Sequence, residues 1–310
     1  MVRIAILGTG AMGLLVGALL GIAVRPPLML TRARGGAAPV RHLVRVRSAD
    51  APPLETSLDF AADPAAVVGA DCLLVLVKAW ATADALAPWR PYLSSSTLVL
   101  TLQNGLGNRE QVVAALPDHP VGRIAAGVTT EAALRVGPRE VAHTGRGRTT
   151  LGPAAGVPRT LAELAAALTA AGLPATVEPE IEQAIWEKLA VNAAINGLTA
   201  LAGVENGAIA TRPDLAEVAT AVAREVAAVA AVEGIILDDP AATALSVASA
   251  TARNRSSMAI DVETGRRSEV DAIHGAVVER ARAAGIATPV TATLAALIRA
   301  HESVVHMRGD

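Results

Sequence analysis

Aromatic side chains are almost missing from this chain: three Trp, one Tyr and one Phe make up 2% of its 310 residues. A core cannot then be assembled around large rings, although 52% of the residues are hydrophobic. It has to come from Ala, Val, Leu and Ile, with close helix contacts where alanine faces alanine. A single cysteine, Cys72, excludes an intramolecular disulfide. Its apolar surroundings, DCLLVLV, read as those of a buried structural thiol, and the usage fits a reducing cytoplasm. The histidines at 42, 119, 143, 274, 301 and 306 lack the short spacings that gather metal ligands, so no metal site is expected. Neither sign of charge is in excess. A formal net charge of -2 gives no general attraction to nucleic acid or to an anionic membrane, and any anion site must be local.

One long apolar run is present. RIAILGTGAMGLLVGALLGIAV, Arg3 to Val24, holds no charged residue between Ile4 and Val24, which is about the length that crosses a bilayer. Gly13, Gly17 and Gly21 even repeat the G-x-x-x-G spacing of membrane helix pairs. Against that reading stand five glycines within the run and no A-x-A-like cleavage site. The run divides better into a buried strand, RIAIL, a tight turn, GTGAMG, and a helix, AMGLLVGALLGIA. Gly17 and Gly21 then let the helix lie close to its sheet, and no membrane partner is expected. Gly8, Gly10 and Gly13 form G-x-G-x-x-G between strand and helix. There the first glycine permits the turn, the second lets a pyrophosphate approach the backbone, and the third lets helix and strand pack closely. The anion would meet the free amides of Thr9, Ala11 and Met12 at the helix start.

PPLMLTR reads as a second strand ending near Thr31. An NAD site would usually carry Asp or Glu there, about 20 residues beyond the glycines. This chain has Thr31, Arg32 and Arg34. A guanidinium at that place suits a 2'-phosphate, so NADP(H) is expected, with Arg32 ahead of Arg34 as its partner. The alternative is that Arg25, Arg32, Arg34, Arg41, Arg45 and Arg47 form a solvated basic stretch. Two more buried strands, DCLLVLVK and STLVLTLQNG, follow helical segments DPAAVVGA and TADALAPWRPYL, and the alternation implies a doubly wound, mainly parallel sheet. Lys78 and the loop QNGLGN, with Asn104, fall at the strand ends where ligands lie. A solvated strand end and an ordinary turn remain the bland readings of the two.

The strongest internal signal is AIWEKLAVNAAINGLTAL, Ala184 to Leu201. It is apolar nearly all round, as a buried helix is, yet Lys188, Asn192 and Asn196 recur at i, i+4 and i+8 on one face. With no carboxylate in the stripe, these groups need partners, which a ligand carboxylate or hydroxyl would supply; the alternatives are an interhelical polar network or simply an exposed face, and the ligand-facing reading is preferred. A desolvated lysine in a cleft is suited to acid-base work. Farther on, NRSSMAIDVETGRRSEVDAI holds Asn254, Ser256 and Ser257 as cap candidates, and a capping box of Ser268 with Asp271 that puts Glu269 in a first helical turn.

Taken in order, GTGAMG, LVKAW, LQNGLGN, GVTTEAA, KLAVNAAINGLTAL, GVENGAI, SSM and GRRSEVDAIHGAVVERARAAGIATP resemble the ketopantoate reductases, from Ile4 to about Leu297. The resemblance implies an α/β Rossmann domain followed by an all-α domain, here 1–180 and 181–310, with NADPH and a 2-keto acid meeting in the cleft between them. It implies a catalytic Lys188 with Glu269, substrate contacts from Asn192, Asn196, Asn206, Asn254 and Ser257, and cofactor contacts from Gly8 to Gly13, Arg32, Lys78, Asn104, Ala133 and Glu269. It departs from the family at Glu131, where histidine is frequent, and between Arg32 and Arg47. The expectation is a cytoplasmic monomer or homodimer that reduces 2-dehydropantoate. The alternatives are a paralogue acting on another 2-keto acid in secondary metabolism and an NADPH sensor without turnover.

Overall fold

The computed structural model describes residues 2–32, 38–49, 51–152 and 159–308, so Arg34 lies outside the described residues. The chain forms two compact units, Met1–Gln103 with Asn108–Ile181, and Asn104–Gly107 with Glu182–Asp310. Chain order alone would leave residues 104–107 in the first unit; their packing assigns them to the second.

In the first unit the described strands are β1 (Ile4–Leu7), β2 (Leu28–Leu30), β3 (Val40–Ser48), β4 (Ala51–Ala61), β5 (Cys72–Val75), β6 (Leu98–Thr101), β7 (Ile124–Thr129), β8 (Ala132–Gly137), β9 (Glu140–Gly145), β10 (Thr149–Gly152) and β11 (Ala175–Val177). They join in one sheet ordered β11-β10-β7-β6-β5-β1-β2-β4-β3-β9-β8. The stretch from β7 to β4 is parallel throughout. Its helices are α1 (Ala11–Ala23), α2 (Thr82–Leu86), α3 (Asn108–Ala115) and α4 (Arg159–Ala170).

β1, β5 and β6 are buried at every position, as strands covered on both faces must be. Ile4 and Ile6 enter one apolar cluster with α1 and α4, while Ala5 and Leu7 enter a second with Leu86 and Val112. The chain leaves β1 toward β2 on one side and reaches β5 on the other, so the strand order reverses at the end of β1. The glycine turn sits at that switch point. Gly17 and Gly21 do let α1 lie close to its sheet: a Cβ on Gly17 would come within 2.7 Å of Met29 Sδ, and one on Gly21 within 3.0 Å of Leu58 Cδ2. No described helix is long and apolar enough to cross a membrane.

Three local expectations change. The Arg41–Arg47 stretch is not merely solvated. It is strand β3, in which Val44 and Val46 are buried while Arg41 and Arg45 stand directly opposite Asp59 and Glu55 of β4 and pair with them at 2.8 and 2.6 Å. Such exposed cross-strand pairs are screened by solvent and set the register more than they stabilise the fold. Segment TADALAPWRPYL is not one helix, because Pro88 and Pro91 carry no N–H; α2 ends at Leu86 and one 3-10 turn follows at Arg90–Tyr92. DPAAVVGA likewise closes only a 3-10 turn at Pro64–Val67.

The second unit is helical: α5 (Ile181–Ala202), α6 (Gly207–Thr211), α7 (Pro213–Val232), α8 (Pro240–Ala250), α9 (Ser257–Glu263), α10 (Ala276–Ala284) and α11 (Pro289–Arg308), with a π-helical turn at Asp271–Gly275 running into α10. One core joins them, rich in alanine as the composition requires: Ala219, Ala223 and Ala230 of α7 are buried with Ala241, Ala244 and Ala248 of α8. Glu225 of α7 accepts from the backbone N–H groups of Val290 and Thr291 at 3.0 and 2.8 Å and so satisfies the start of α11.

Gly8 is constrained by both its backbone conformation and its surroundings. Its φ is +124°, and an added Cβ would stand 2.6 Å from the Leu76 carbonyl carbon. Gly8→Ala should therefore destabilise the protein by about 1–3 kcal/mol, since backbone rather than a mobile side chain must move. Thermal unfolding checks this, and an unchanged Tm would show that the turn has room to spare.

Candidate functional site

The glycine turn of the first unit has the features of a backbone cradle. A Cβ on Gly13 would collide with the Gly8 carbonyl oxygen at 1.9 Å, so α1 starts hard against the turn. At Gly10, the N-cap of α1, a Cβ would meet nothing within 4 Å. The backbone at Gly10 thus faces open space at the start of α1, the kind of place where a phosphate is bound. These residues fit a dinucleotide.

Around that turn, Lys78 opens the 3-10 turn Ala79–Ala81 just beyond β5. Gln103 Nε2 donates to Val77 O at 2.8 Å and to Thr82 Oγ1 at 2.9 Å, tying the end of β6 to the end of β5. Arg32 follows β2 and is exposed, and none of the described residues pairs with its guanidinium. Arg41, Arg45 and Arg47, by contrast, are taken up by Asp59, Glu55 and Glu140. Ala133 lies opposite His143 in the β8–β9 ladder. His143 Nε2 meets Glu131 Oε2 at 2.6 Å with both side chains almost wholly buried, and Glu131 Oε1 has no partner among the described residues. Glu131, in the link between β7 and β8, is thereby tied to β9.

In the second unit three side chains far apart in sequence are joined. Lys188 Nζ, from α5, donates to Asn104 Oδ1 at 2.6 Å, and Asn104 Nδ2 donates to Glu269 Oε2 at 3.2 Å. Burial pushes the Lys188 ammonium down from its usual value to about 8, while the Glu269 carboxylate pulls it upward. An amine with that value holds its proton at neutral pH and can release it, which suits a general acid.

Asn192 and Asn196 lie one and two turns along α5 on the face of Lys188; Asn196 is buried and Asn192 partly so. Asn206 N donates to Asn254 O at 2.9 Å, and Asn206 Nδ2 donates to Thr251 Oγ1 at 3.0 Å. Asn206 Oδ1 is buried without a partner among the described residues. Ser257 is exposed at the first position of α9. The cap of that helix is Ser256, whose Oγ accepts from Ala259 N at 3.1 Å and from Thr199 Oγ1 at 2.7 Å. Nor does Ser268 form a capping box with Asp271. Its Oγ accepts from Val270 N at 3.1 Å, the Asp271 carboxylate is engaged by Arg299 and Arg267, and Glu269 sits just ahead of the helical turn.

One sequence signal stands behind this geometry. Lys78 and Lys188 are the only two lysines in the chain; the other 25 of its 27 Lys and Arg residues are arginine. Arginine serves where a permanent charge is needed but does not give up a proton at accessible pH, so an amine at these two places is chemically distinctive. The partnership of Lys188 with Asn104 and Glu269 had no such signal, since 84 and 165 residues separate the bonded pairs.

Glu269→Gln should lower the Lys188 pKa further below 8, because the removed carboxylate is what opposes desolvation. Side-chain 13C NMR titration of the two lysines, assigned with Lys78→Arg, measures it. A Lys188 midpoint that stays put or rises would contradict the electrostatics described.

Comparison with known proteins bears on the same elements. The family model Ketopantoate reductase PanE/ApbA matches residues 4–156, and Ketopantoate reductase PanE/ApbA C terminal matches 180–302. The chain is 39% identical to the 2-dehydropantoate 2-reductase of Halobacterium salinarum over 307 residues, 96% of this chain and 98% of that protein. Among solved structures, a PanE/ApbA family ketopantoate reductase from Ralstonia eutropha JMP134 superposes with a TM-score of 0.85 at 32% identity, covering 98% of this chain and 99% of that one. D-mandelate dehydrogenase with NADH and anilino(oxo)acetate gives the same TM-score, 0.85, at 25% identity, over 98% and 99% of the two chains.

Proposed function

The chain belongs to the ketopantoate reductase family, and on that premise we propose that it reduces 2-dehydropantoate to pantoate with NADPH, in the route to pantothenate and coenzyme A. The observation that carries this reading is the hydrogen-bonded set Lys188–Asn104–Glu269, with an amine held at about 8. A binding protein that only senses NADPH has no use for a tuned proton donor.

In this reading the turn from Gly8 to Gly13, including Thr9, Ala11 and Met12, holds the pyrophosphate through backbone amides. Arg32 faces the 2'-phosphate, and Lys78, Asn104, Ala133 and Glu269 complete the cofactor's contacts. NADPH, when bound, supplies the hydride that the C2 carbonyl carbon receives. Lys188 stabilises the negative charge growing on the carbonyl oxygen and gives it the Nζ proton, a contribution of about 10²- to 10⁴-fold. Asn104 keeps the amine aimed, and Glu269 raises its pKa against the lowering by burial. Asn192, Asn196, Asn206 and Asn254 orient the substrate's polar groups, and the buried Asn206 Oδ1, without a partner among the described residues, is an acceptor suited to a substrate hydroxyl. The exposed hydroxyl of Ser257 receives the carboxylate. Such orientation matters because hydride transfer requires near-contact alignment of donor and acceptor carbons.

One observation favours a second substrate reading, reduction of a different 2-keto acid: the likeness to D-mandelate dehydrogenase is as high in TM-score as that to the Ralstonia reductase. The ratio of kcat/KM for 2-dehydropantoate and phenylglyoxylate decides between them.

Lys188→Ala should reduce kcat by about 10²- to 10⁴-fold with NADPH affinity kept, and wild-type turnover by this variant would end the proton-donor assignment. In the wild-type enzyme kcat should fall as pH rises through about 8, because the acid form of the amine is lost. Arg32→Ala should raise the KM for NADPH far more than that for NADH. Equal losses for the two cofactors would remove the phosphate role.

A further inference from the structure

His274 is the most deeply buried histidine among the described residues, with no exposed surface, and burial lowers its imidazole to about 4. It is therefore neutral at working pH. Its Nε2 lies 3.0 Å from Ala193 O, a carbonyl that can only accept, so the proton is on Nε2 and the ring donates. Ala193 lies on α5 between Asn192 and Asn196, five residues beyond Lys188. Gly197, on the same helix, is small because of this contact: a Cβ there would come within 2.8 Å of His274 Nε2.

The backbone around His274 is irregular in a way that serves the same segment. Ala276 N donates to Asp271 O, a π-helical bond, so the Ala272 carbonyl is released from the ladder that an α-helix would impose. Leu106 N takes that carbonyl at 2.9 Å, and Gly105, with φ +94°, passes so close that a Cβ would fall 2.2 Å from it. Two residues upstream of Gly105's neighbour Leu106 is Asn104 itself. The segment 269–275 thus grips the 104–107 loop through Ala272 and grips α5 through His274. Its charged neighbours are turned elsewhere: Asp271 is paired with Arg299 of α11 and with Arg267, and Glu302 of α11 accepts from Ser268 N at 2.9 Å. His274 supplies a side-chain hydrogen bond that ties this segment to the helix bearing Lys188.

We infer that His274 is a positioning residue for the reaction: by donating to the Ala193 carbonyl it fixes the π-turn against α5, and so sets where Glu269 stands relative to Asn104 and Lys188. The ring touches no reacting atom. Its effect is transmitted through Glu269, whose carboxylate raises the Lys188 ammonium against the lowering by burial. This rests on the reading of Lys188 as proton donor for its catalytic consequence, but the geometric claim has its own readout.

The test compares His274→Leu, which keeps bulk without a donor, and His274→Gln, whose amide nitrogen reaches about as far as Nε2. In full-length protein carrying 13C-labelled lysine, His274→Leu should shift the Lys188 titration lower by half a pH unit or more, and His274→Gln should restore it. The alkaline limb of kcat should move in parallel, with kcat reduced several-fold. A Lys188 titration that is the same in wild type and His274→Leu overturns the inference, even if the variant melts at lower temperature. Equal shifts in the Leu and Gln variants overturn it too, because lost packing would then be the cause. If the titration shifts while Lys188→Ala retains turnover, the positioning of Glu269 stands and the proton-donor reading falls.

Discussion

The structure turns on one desolvated amine and the neutral amide that faces it. An ammonium taken out of water needs a compensating partner, and a carboxylate in direct contact would fix its proton firmly. Lys188 instead meets the Asn104 oxygen, with Glu269 one hydrogen bond farther on. The amide compensates part of the desolvation, the carboxylate acts at one remove, and the result is an amine near 8. A direct lysine–glutamate contact would have given a stable salt bridge and a poor acid.

That arrangement asks for three separated pieces of chain to be held together. α5 brings Lys188, the 104–107 loop brings Asn104, and the segment just ahead of the π-turn brings Glu269. Each is irregular or constrained where they meet: Gly105 has a positive φ, Gly197 leaves room for an imidazole, and the π-turn releases a carbonyl for Leu106. Two of these features, the positive φ and the π-turn, deviate from regular backbone, as happens where a site rather than a core dictates the local path.

Much of the fold was legible because its signals are local. The strand, turn and helix of the opening run follow from hydrophobic runs broken by glycine at fixed places, and α1 occupies the expected Ala11–Ala23. Lys188 with Asn192 and Asn196 was visible because helical periodicity puts them on one face. The β3–β4 hairpin was less so, since its arginines mask an alternating pattern; only pairing across the strands shows that Arg41 and Arg45 answer Asp59 and Glu55. The capping box at Ser268 failed because Asp271 is drawn away by Arg299 and Arg267, a competition that no short window contains.

By itself, then, the sequence determined the class of core, the glycine turn between the first strand and helix, the mainly parallel sheet with its helical second half, and a lysine on a polar stripe, since each depends on composition or on spacing within a few turns. Tertiary structure alone decided which groups that lysine meets and therefore its acidity. A pKa is set by the distance to partners and by the loss of water, and those partners come from residues 84 and 165 positions away from one another in their bonded pairs. The same holds for His274, an ordinary helix residue in the sequence whose place against α5 exists only once the chain has folded.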